Sequence, residues 1–387
     1  MTATGTSRES RPVVTPSSPS TDAPSCRFCR SVDGEIVVDL GSQPSSELFP
    51  AASDPGPDPT FPLRMWLCSA CGLAQLADDA EVPEEPEGQE PAALRVQRAD
   101  AVARLVDARI LPTSGTVAEF PSPHGGTWLD LLGQCGLVPA GPGEHADIVI
   151  DGCFGMMHGR DQREVLQTRA DRLADGGTLL LQFHSLAAIV EGLQWNALRL
   201  GHYAYYSTPA MIRMLADVGL TATAAFSFPL YGGTVLLAAS RDGRPNEALL
   251  DAVTGPERAV GVDRPVSLAG LQGSVRRTAT GLRDLLCRER DAGRRIYGYG
   301  AASRAVSLLC LAGVDAKLLA GVADVSAEKQ GKRMPGTDIP VITPAELVAA
   351  APDLVLVFVS ELVEEVRLAL PQIEAAGGRW LDVGSGV

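Results

Sequence analysis

Two cysteine pairs constrain this chain more than any other feature. Cys26-Arg27-Phe28-Cys29 and Cys68-Ser69-Ala70-Cys71-Gly72 each hold two thiols within one tight turn. One such turn presents two thiolates to one metal, and two turns supply the four sulfurs of a tetrahedral structural zinc site. Residues 30–67 separate the pairs, a longer gap than a compact zinc ribbon has, with strand-like stretches over 35–40 and 62–67. Those strands are expected to bring the turns together. A closed four-thiolate site leaves no open coordination position, so the zinc expected at Cys26, Cys29, Cys68 and Cys71 serves folding rather than catalysis. A redox dithiol would need only one pair. Cys135, Cys153, Cys287 and Cys310 are scattered in apolar surroundings and read as small core residues.

The chain has 387 residues, 45% hydrophobic and 21% charged, enough for two or three domains with buried cores. The formal net charge of −14 argues against nucleic acid or anionic membranes as general partners, because no excess of Lys and Arg is available to neutralise phosphates. A phosphorylated small molecule would need a local basic patch. No apolar run approaches the ~18–20 residues of a spanning helix, and the N-terminus lacks an apolar signal core. A cytoplasmic protein without a membrane partner is expected.

Residues 1–24 are rich in Ser, Thr and Pro and read as a disordered tail. A zinc-binding module is expected over 25–90, closing in an acidic, proline-rich linker over 77–91. The next region, 91–263, opens with a helix over 91–108 and then alternates. Strands are expected over 116–120, 146–151 and 178–183, with helices over 163–173 and 209–218, the first ended by Gly176-Gly177. Stretches 221–226 and 234–239 look like a closing strand pair. Alternating units with buried strands imply a mostly parallel, doubly wound sheet. The last region, 264–387, begins with an Arg-studded helix over 265–292. A second, smaller α/β unit follows, with strands over 318–323, 354–359 and 380–383 and helices over 345–350 and 362–376.

The first strand of that unit runs into Tyr297-Gly298-Tyr299-Gly300-Ala301-Ala302-Ser303-Arg304, followed by an apolar helix over 305–312. A strand turning through glycines into a helix directs backbone N–H groups at an anion. Position 303 is serine, so the third glycine of the dinucleotide fingerprint is missing. By itself the segment is equally an empty turn.

Two blocks resemble the sugar C-methyltransferase family of bacterial deoxysugar biosynthesis. The first combines the cysteine pairs with Val38-Asp39-Leu40-Gly41-Ser42-Gln43-Pro44 and Cys71-Gly72-Leu73-Ala74-Gln75-Leu76. The second combines the glycine turn with Val322-Ala323-Asp324, Glu328-Lys329-Gln330-Gly331-Lys332 and Met334-Pro335-Gly336-Thr337-Asp338-Ile339-Pro340-Val341. The resemblance implies an α/β chain of three parts: an N-terminal zinc-binding module, a central Rossmann-like methyltransferase-type domain and a C-terminal Rossmann-like α/β domain. Its members bind S-adenosylmethionine centrally, deprotonate a nucleotide-linked 4-keto-sugar next to its ketone, and methylate that carbon. Such chemistry needs a base at the C–H and donors at the enolate oxygen.

On the cofactor side the chain departs from the family. The family loop Glu-Ile-Gly-Ser-Asn-Asp-Gly is here Glu119-Phe120-Pro121-Ser122-Pro123-His124-Gly125. Glu119, Ser122 and Gly125 remain as cofactor-binding candidates, while two prolines remove N–H donors. Between Leu131 and Asp147 no strand ending in an acidic residue is expected, so the ribose hydroxyls lose their partner. The family's Tyr- and Ser-rich segment before the central domain is replaced by acidic sequence over 84–90.

The proton-transfer side is better kept. The family's Asn-Val-x-Ala-His aligns with 153–158 and keeps His158. Its Tyr-His-Glu-His-x-x-Tyr-Phe-Ser aligns with Arg199-Leu200-Gly201-His202-Tyr203-Ala204-Tyr205-Tyr206-Ser207, keeping the base as His202 and an aromatic at Tyr205. Its His-Gly-Gly turn becomes Tyr231-Gly232-Gly233. Tyr205, Tyr231, Gly232, Gly298, Tyr299, Gly300 and Arg304 are therefore expected to bind a nucleotide-diphosphate sugar. His124 and His184 lie near strand ends, from which they could face the same cleft, and His145 is expected in solvent. The cofactor-side losses favour His202-driven enolisation without methyl transfer, giving epimerisation, isomerisation, elimination or rearrangement. Adenosylmethionine-dependent methylation with an atypical loop is the alternative, and a non-catalytic binding subunit the third reading.

Overall fold

The computed structural model describes residues 23–54, 56–80, 92–123 and 125–384. The N-terminal tail before residue 23, the acidic stretch 81–91 and His124 lie outside the described residues. In chain order the strands are β1 (Gly34–Pro44), β2 (Thr60–Cys68), β3 (Ala74–Leu76), β4 (Gly115–Glu119), β5 (Leu137–Pro139), β6 (Ala146–Asp151), β7 (Leu173–His184) and β8 (Ala204–Tyr205). Then follow β9 (Thr221–Phe228), β10 (Thr234–Ser240), β11 (Ile296–Tyr299), β12 (Val322–Ala323), β13 (Val341–Ile342), β14 (Leu354–Val357) and β15 (Arg379–Asp382).

Three sheets result. The zinc module forms an antiparallel sheet in the order β1-β2-β3-β8, whose last strand comes from the central region. Side chains alternate along β2. Phe61, Leu63, Met65 and Leu67 enter the core shared with the C-terminal unit, while Trp66 and Cys68 enter the core shared with the central domain. The module is thus wedged between the other two, and Arg333 locks it there. Arg333 and Asp58 form a bidentate ion pair of 2.6 and 2.8 Å, both side chains about 6% exposed.

The central sheet has the order β5-β4-β6-β7-β10-β9. Its first four strands are parallel, and β10 runs antiparallel between β7 and β9. The chain leaves β4 to one side for β5 and returns to the other for β6, so the topological switch point lies at the carboxyl ends of β4 and β6. The C-terminal sheet, order β13-β12-β11-β14-β15, is parallel, with its switch point between β11 and β14.

Several expected boundaries moved. Gly176-Gly177 does not end a helix. The helix Gln162–Asp171 stops earlier, and the glycines lie inside β7 where its register against β6 shifts. A Cβ at Gly177 would stand 3.0 Å from the Ala146 and Ala174 carbonyls, so a larger residue in this bulge would have to push backbone aside by a few tenths of an ångström. A strand does form between Leu131 and Asp147: it is β5, three residues long and at the sheet edge. The helix Glu247–Val260 is masked in the sequence by Gly255-Pro256, which reads as a breaker. Its buried Leu250, Val253, Thr254 and Glu257 keep the helical period, and Asn246 caps it by accepting from the Leu249 N–H. The expected helix over 362–376 breaks into Val363–Ala369 and Gln372–Ala375 at Pro371.

Candidate active site

The zinc ligands converge as expected. The thiols of Cys26, Cys29, Cys68 and Cys71 lie within 4.8 Å of one another. Cys26 and Cys71 are 3.5 Å apart, Cys29 and Cys68 3.6 Å. Four sulfurs about 2.3 Å from a tetrahedral zinc would be about 3.8 Å apart, so this donor set fits the ion. Each turn closes with the same bond: Arg30 N–H to the Cys26 carbonyl, and Gly72 N–H to the Cys68 carbonyl. Arg30 and Gly72 both take the left-handed conformation this requires. The metal would supply folding energy here, with no position left for substrate.

A cavity of about 340 Å³ opens where central and C-terminal domains meet, lined by His202, Tyr205, Tyr231 and Arg304 among others. These four were named from the sequence, and the fold brings them together. His184, expected near the cleft, lines it too. A wider recess of about 810 Å³ adjoins it through Tyr231 and Arg304 and includes Gly232, Arg277 and Ser360.

His202 is about 6% exposed. It follows Gly201 (φ 87°) and stands two residues before β8, which pairs with β3 of the zinc module. Tyr203, the next residue, donates its N–H to the Met157 carbonyl at 2.7 Å and accepts from the Leu76 N–H at 3.2 Å. His158 meets His202 edge to face, ring centroids 4.8 Å apart. It ends the short turn Gly155–His158, which hangs from Asp151. Asp151 accepts from the Gly155 N–H at 2.7 Å and pairs with Arg169 at 2.6 Å. Burial pushes the Asp151 carboxyl up, opposed by the Arg169 charge.

Arg199 is the residue sequence reasoning missed. Its Nε donates to His202 Nε2 at 2.8 Å, its Nη1 donates to Ser303 Oγ at 2.6 Å, and Glu47 lies 3.8 Å away. Segments from all three modules therefore meet on one guanidinium at the cavity wall. The signal available was an arginine three residues before the expected base, in the position of the family's tyrosine.

At the central switch point the described residues bind one another. Glu119, the last residue of β4, accepts from the Trp128 N–H at 2.6 Å and from the Thr127 hydroxyl. Burial pushes its carboxyl up, and those two bonds pull it back. The Trp128 ring, 0% exposed, lies across to the end of β6, where a Cβ on Gly152 would be 2.2 Å from the indole Nε1. Pro121 and Pro123 offer no N–H. Ser122 is buried, and its carbonyl accepts the Gly125 N–H at 3.0 Å. Strand β5 ends in Val138-Pro139, and the next carboxylate, exposed Glu144, accepts from the Gly141 N–H. These residues do not fit adenosylmethionine in the crevice between β4 and β6.

At the C-terminal switch point the glycines answer to packing. A Cβ at Gly298 would meet the Phe358 ring at 2.7 Å, and Gly300 has φ 86° with Val359 against it. The Ala301 N–H is taken by Asp324 at 2.7 Å. Tyr299 faces the interior, packed on Trp380 at 6.3 Å. Gly298, Tyr299 and Gly300 thus shape the turn without lining either recess, while Arg304 lines both. His145 is exposed, as expected.

Comparisons with known proteins agree with this layout. A model for the C-methyltransferase C-terminal domain matches residues 229–383, and a zinc binding domain model matches residues 26–85. The C-methyltransferase NovU of Streptomyces niveus is 24% identical over 400 residues, spanning 92% of this chain and 94% of its own. Two solved structures are similar over smaller parts. The magnesium protoporphyrin IX methyltransferase of Synechocystis PCC 6803, with bound SAH, covers 40% of this chain and 90% of its own at 16% identity and TM-score 0.30. The CcbJ methyltransferase of Streptomyces caelestis covers 41% and 92% at 14% identity and TM-score 0.25. Among the described residues no helix is long and apolar enough to cross a membrane. With the zinc-binding and C-terminal domain models both matched and the Streptomyces niveus relative aligned over nearly its full length, this chain belongs to the C-methyltransferase family.

Proposed function

We propose that this enzyme removes the proton next to the ketone of a nucleotide-linked keto-sugar and completes the reaction without methyl transfer. The observation that carries this reading is the contrast between two places. The cavity at His202 is open, while at the ends of β4 and β6 the Glu119 carboxylate is already taken by Trp128 and Thr127 and the Trp128 indole is buried against Gly152. His202 is the base. A carbonyl oxygen entering the cavity gives the Arg199 guanidinium a new acceptor and frees His202 Nε2. The imidazole then takes the proton, the C–H electron pair forms the new C=C bond, and the carbonyl π pair moves onto the oxygen. Arg199 stabilises that oxyanion. His158 holds the His202 ring edge-on. Returning the proton to the same carbon from the other face gives epimerisation; returning it elsewhere gives isomerisation. The diphosphate fits the adjoining recess beside Arg277 and Arg304. Methylation by adenosylmethionine is the second reading, supported by family membership.

Incubation with nucleoside-diphosphate-linked 4-keto-6-deoxyhexoses in deuterated water tests the reading. Deuterium is expected at the carbon next to the carbonyl, and His202→Ala is expected to abolish it. No exchange with any nucleotide would leave a non-catalytic subunit. Exchange unchanged in His202→Ala would give the base role to another group.

A further inference from the structure

His184 closes β7, at the carboxyl edge of the central sheet, and lines the cavity beside Tyr231 and Arg304. Its Nε2 is buried and has no hydrogen-bond partner among the described residues. The ring does hydrogen-bond the Tyr231 backbone. With Nε2 unpartnered, that bond belongs to Nδ1, whose N–H donates to the Tyr231 carbonyl. Tyr231 sits at φ 55° in a tight turn before Gly233, a conformation that an L-residue adopts only where its surroundings hold it. The bond fixes the tautomer, so Nε2 carries a lone pair and no proton. Burial, and then the Arg304 charge, push the imidazole down to about 4, so it stays neutral at working pH.

A buried acceptor on a cavity wall needs a donor. Among the described side chains none reaches it. A neutral acceptor does not attract a phosphate oxygen, so the missing partner is the uncharged, hydroxyl-bearing part of a ligand. The diphosphate belongs with the arginines of the adjoining recess.

From this geometry we infer that His184 is a sugar-binding residue, its Nε2 accepting a hydrogen bond from a hydroxyl of the bound hexose. The inference rests on the nucleotide-sugar reading above and adds a contact that selects for a hydroxyl. A site built to bind a substrate hydroxyl discriminates strongly against an analogue lacking it, because its own polar atom is then left unmet.

The test uses the full chain in titration calorimetry with nucleoside diphosphates and their 4-keto-6-deoxyhexose adducts. The wild type is expected to bind an adduct more tightly than the diphosphate alone. His184→Phe keeps the ring volume and removes the acceptor. It should weaken adduct binding at least tenfold and leave diphosphate binding unchanged, while His184→Gln, whose Oε1 can replace Nε2, should recover most of the loss. Equal adduct binding by His184→Phe and wild type overturns the inference while leaving the nucleotide-sugar reading intact. No adduct binding by the wild type overturns both. Should His184→Phe fail to fold, 15N-histidine labelling of the wild type decides, since the chain has five histidines. An unprotonated Nε2 resonance that shifts upfield with adduct and holds still with diphosphate is expected; a resonance unmoved by adduct overturns the contact.

Discussion

The Arg27 guanidinium stacks over the Tyr203 ring, 4.8 Å from its centroid. Arg27 stands between two zinc-binding cysteines, and Tyr203 follows His202. The contact is part of a wider clamp. Arg27 donates to the carbonyls of Leu76, Asp78 and Arg160 and to the Asp79 carboxylate, and its own N–H reaches Gln75. The turn that binds metal therefore also sets the strand pairing that carries His202 into the cavity.

Arg27→Ala should separate the two roles. The metal ligands remain, so bound zinc should stay near one equivalent by elemental analysis. Losing charged hydrogen bonds to buried carbonyls should cost about 2–3 kcal/mol of stability, read from denaturant unfolding. Deuterium exchange by the still-folded protein should fall at least tenfold as His202 loosens. Wild-type exchange in Arg27→Ala would show that the module does not position the base. Less than about half an equivalent of zinc in the wild type would count against the four-thiolate site itself.

Much of this architecture was legible in the residues. The cysteine turns, the alternation of strands and helices and the cavity residues His202, Tyr205, Tyr231 and Arg304 all follow from local pattern or family motif. Three-dimensional neighbours were not legible. Trp128 looks like any core tryptophan in sequence, and its position across β4 and β6 depends on Glu119 holding its N–H and on the missing side chain at Gly152. Tyr299 shares a motif with Gly300, yet strand alternation turns its ring to the core. The role of Arg199 depends on Ser303 and Glu47, both far away in sequence.

A buried carboxyl near the cavity gives a pH prediction. Glu257 accepts from Ser185 Oγ at 2.7 Å and from the Thr208 N–H at 2.6 Å, tying the residue after His184 to the helix Thr208–Asp217. Burial pushes its pKa above the ordinary 4.5, against those hydrogen bonds. The folded state therefore holds this proton more tightly than the unfolded chain. Its stabilising contribution is full below the ordinary carboxylate value and is lost as pH rises through the raised one. Glu257→Gln keeps an acceptor for Thr208 and removes the titration. The variant should gain stability relative to wild type as pH increases from about 4.5 to 7, by roughly 1.4 kcal/mol per unit of raised pKa. Chemical denaturation at several pH values reads this directly, and parallel pH profiles for the two proteins would rule it out.

The methyl-donor question turns on the crevice at Trp128. Three features there act in the same direction: the indole is buried against Gly152, Glu119 is committed to Thr127 and Trp128, and Pro121 and Pro123 withhold donors. The short edge strand β5 adds a fourth, since no acidic side chain ends it. Each removes a contact that a charged, hydroxyl-rich cofactor needs once it leaves water. Calorimetry should therefore find no binding of adenosylmethionine or adenosylhomocysteine tighter than about 100 μM, well above the micromolar mark at −8.2 kcal/mol. Trp128→Ala should cost about 3–5 kcal/mol of stability as a large buried ring is lost, and should not restore tight binding, because the proline and carboxylate features remain. Adenosylhomocysteine binding below that limit in the wild type would reverse the preference and return the enzyme to methyl transfer, with His202 still the base.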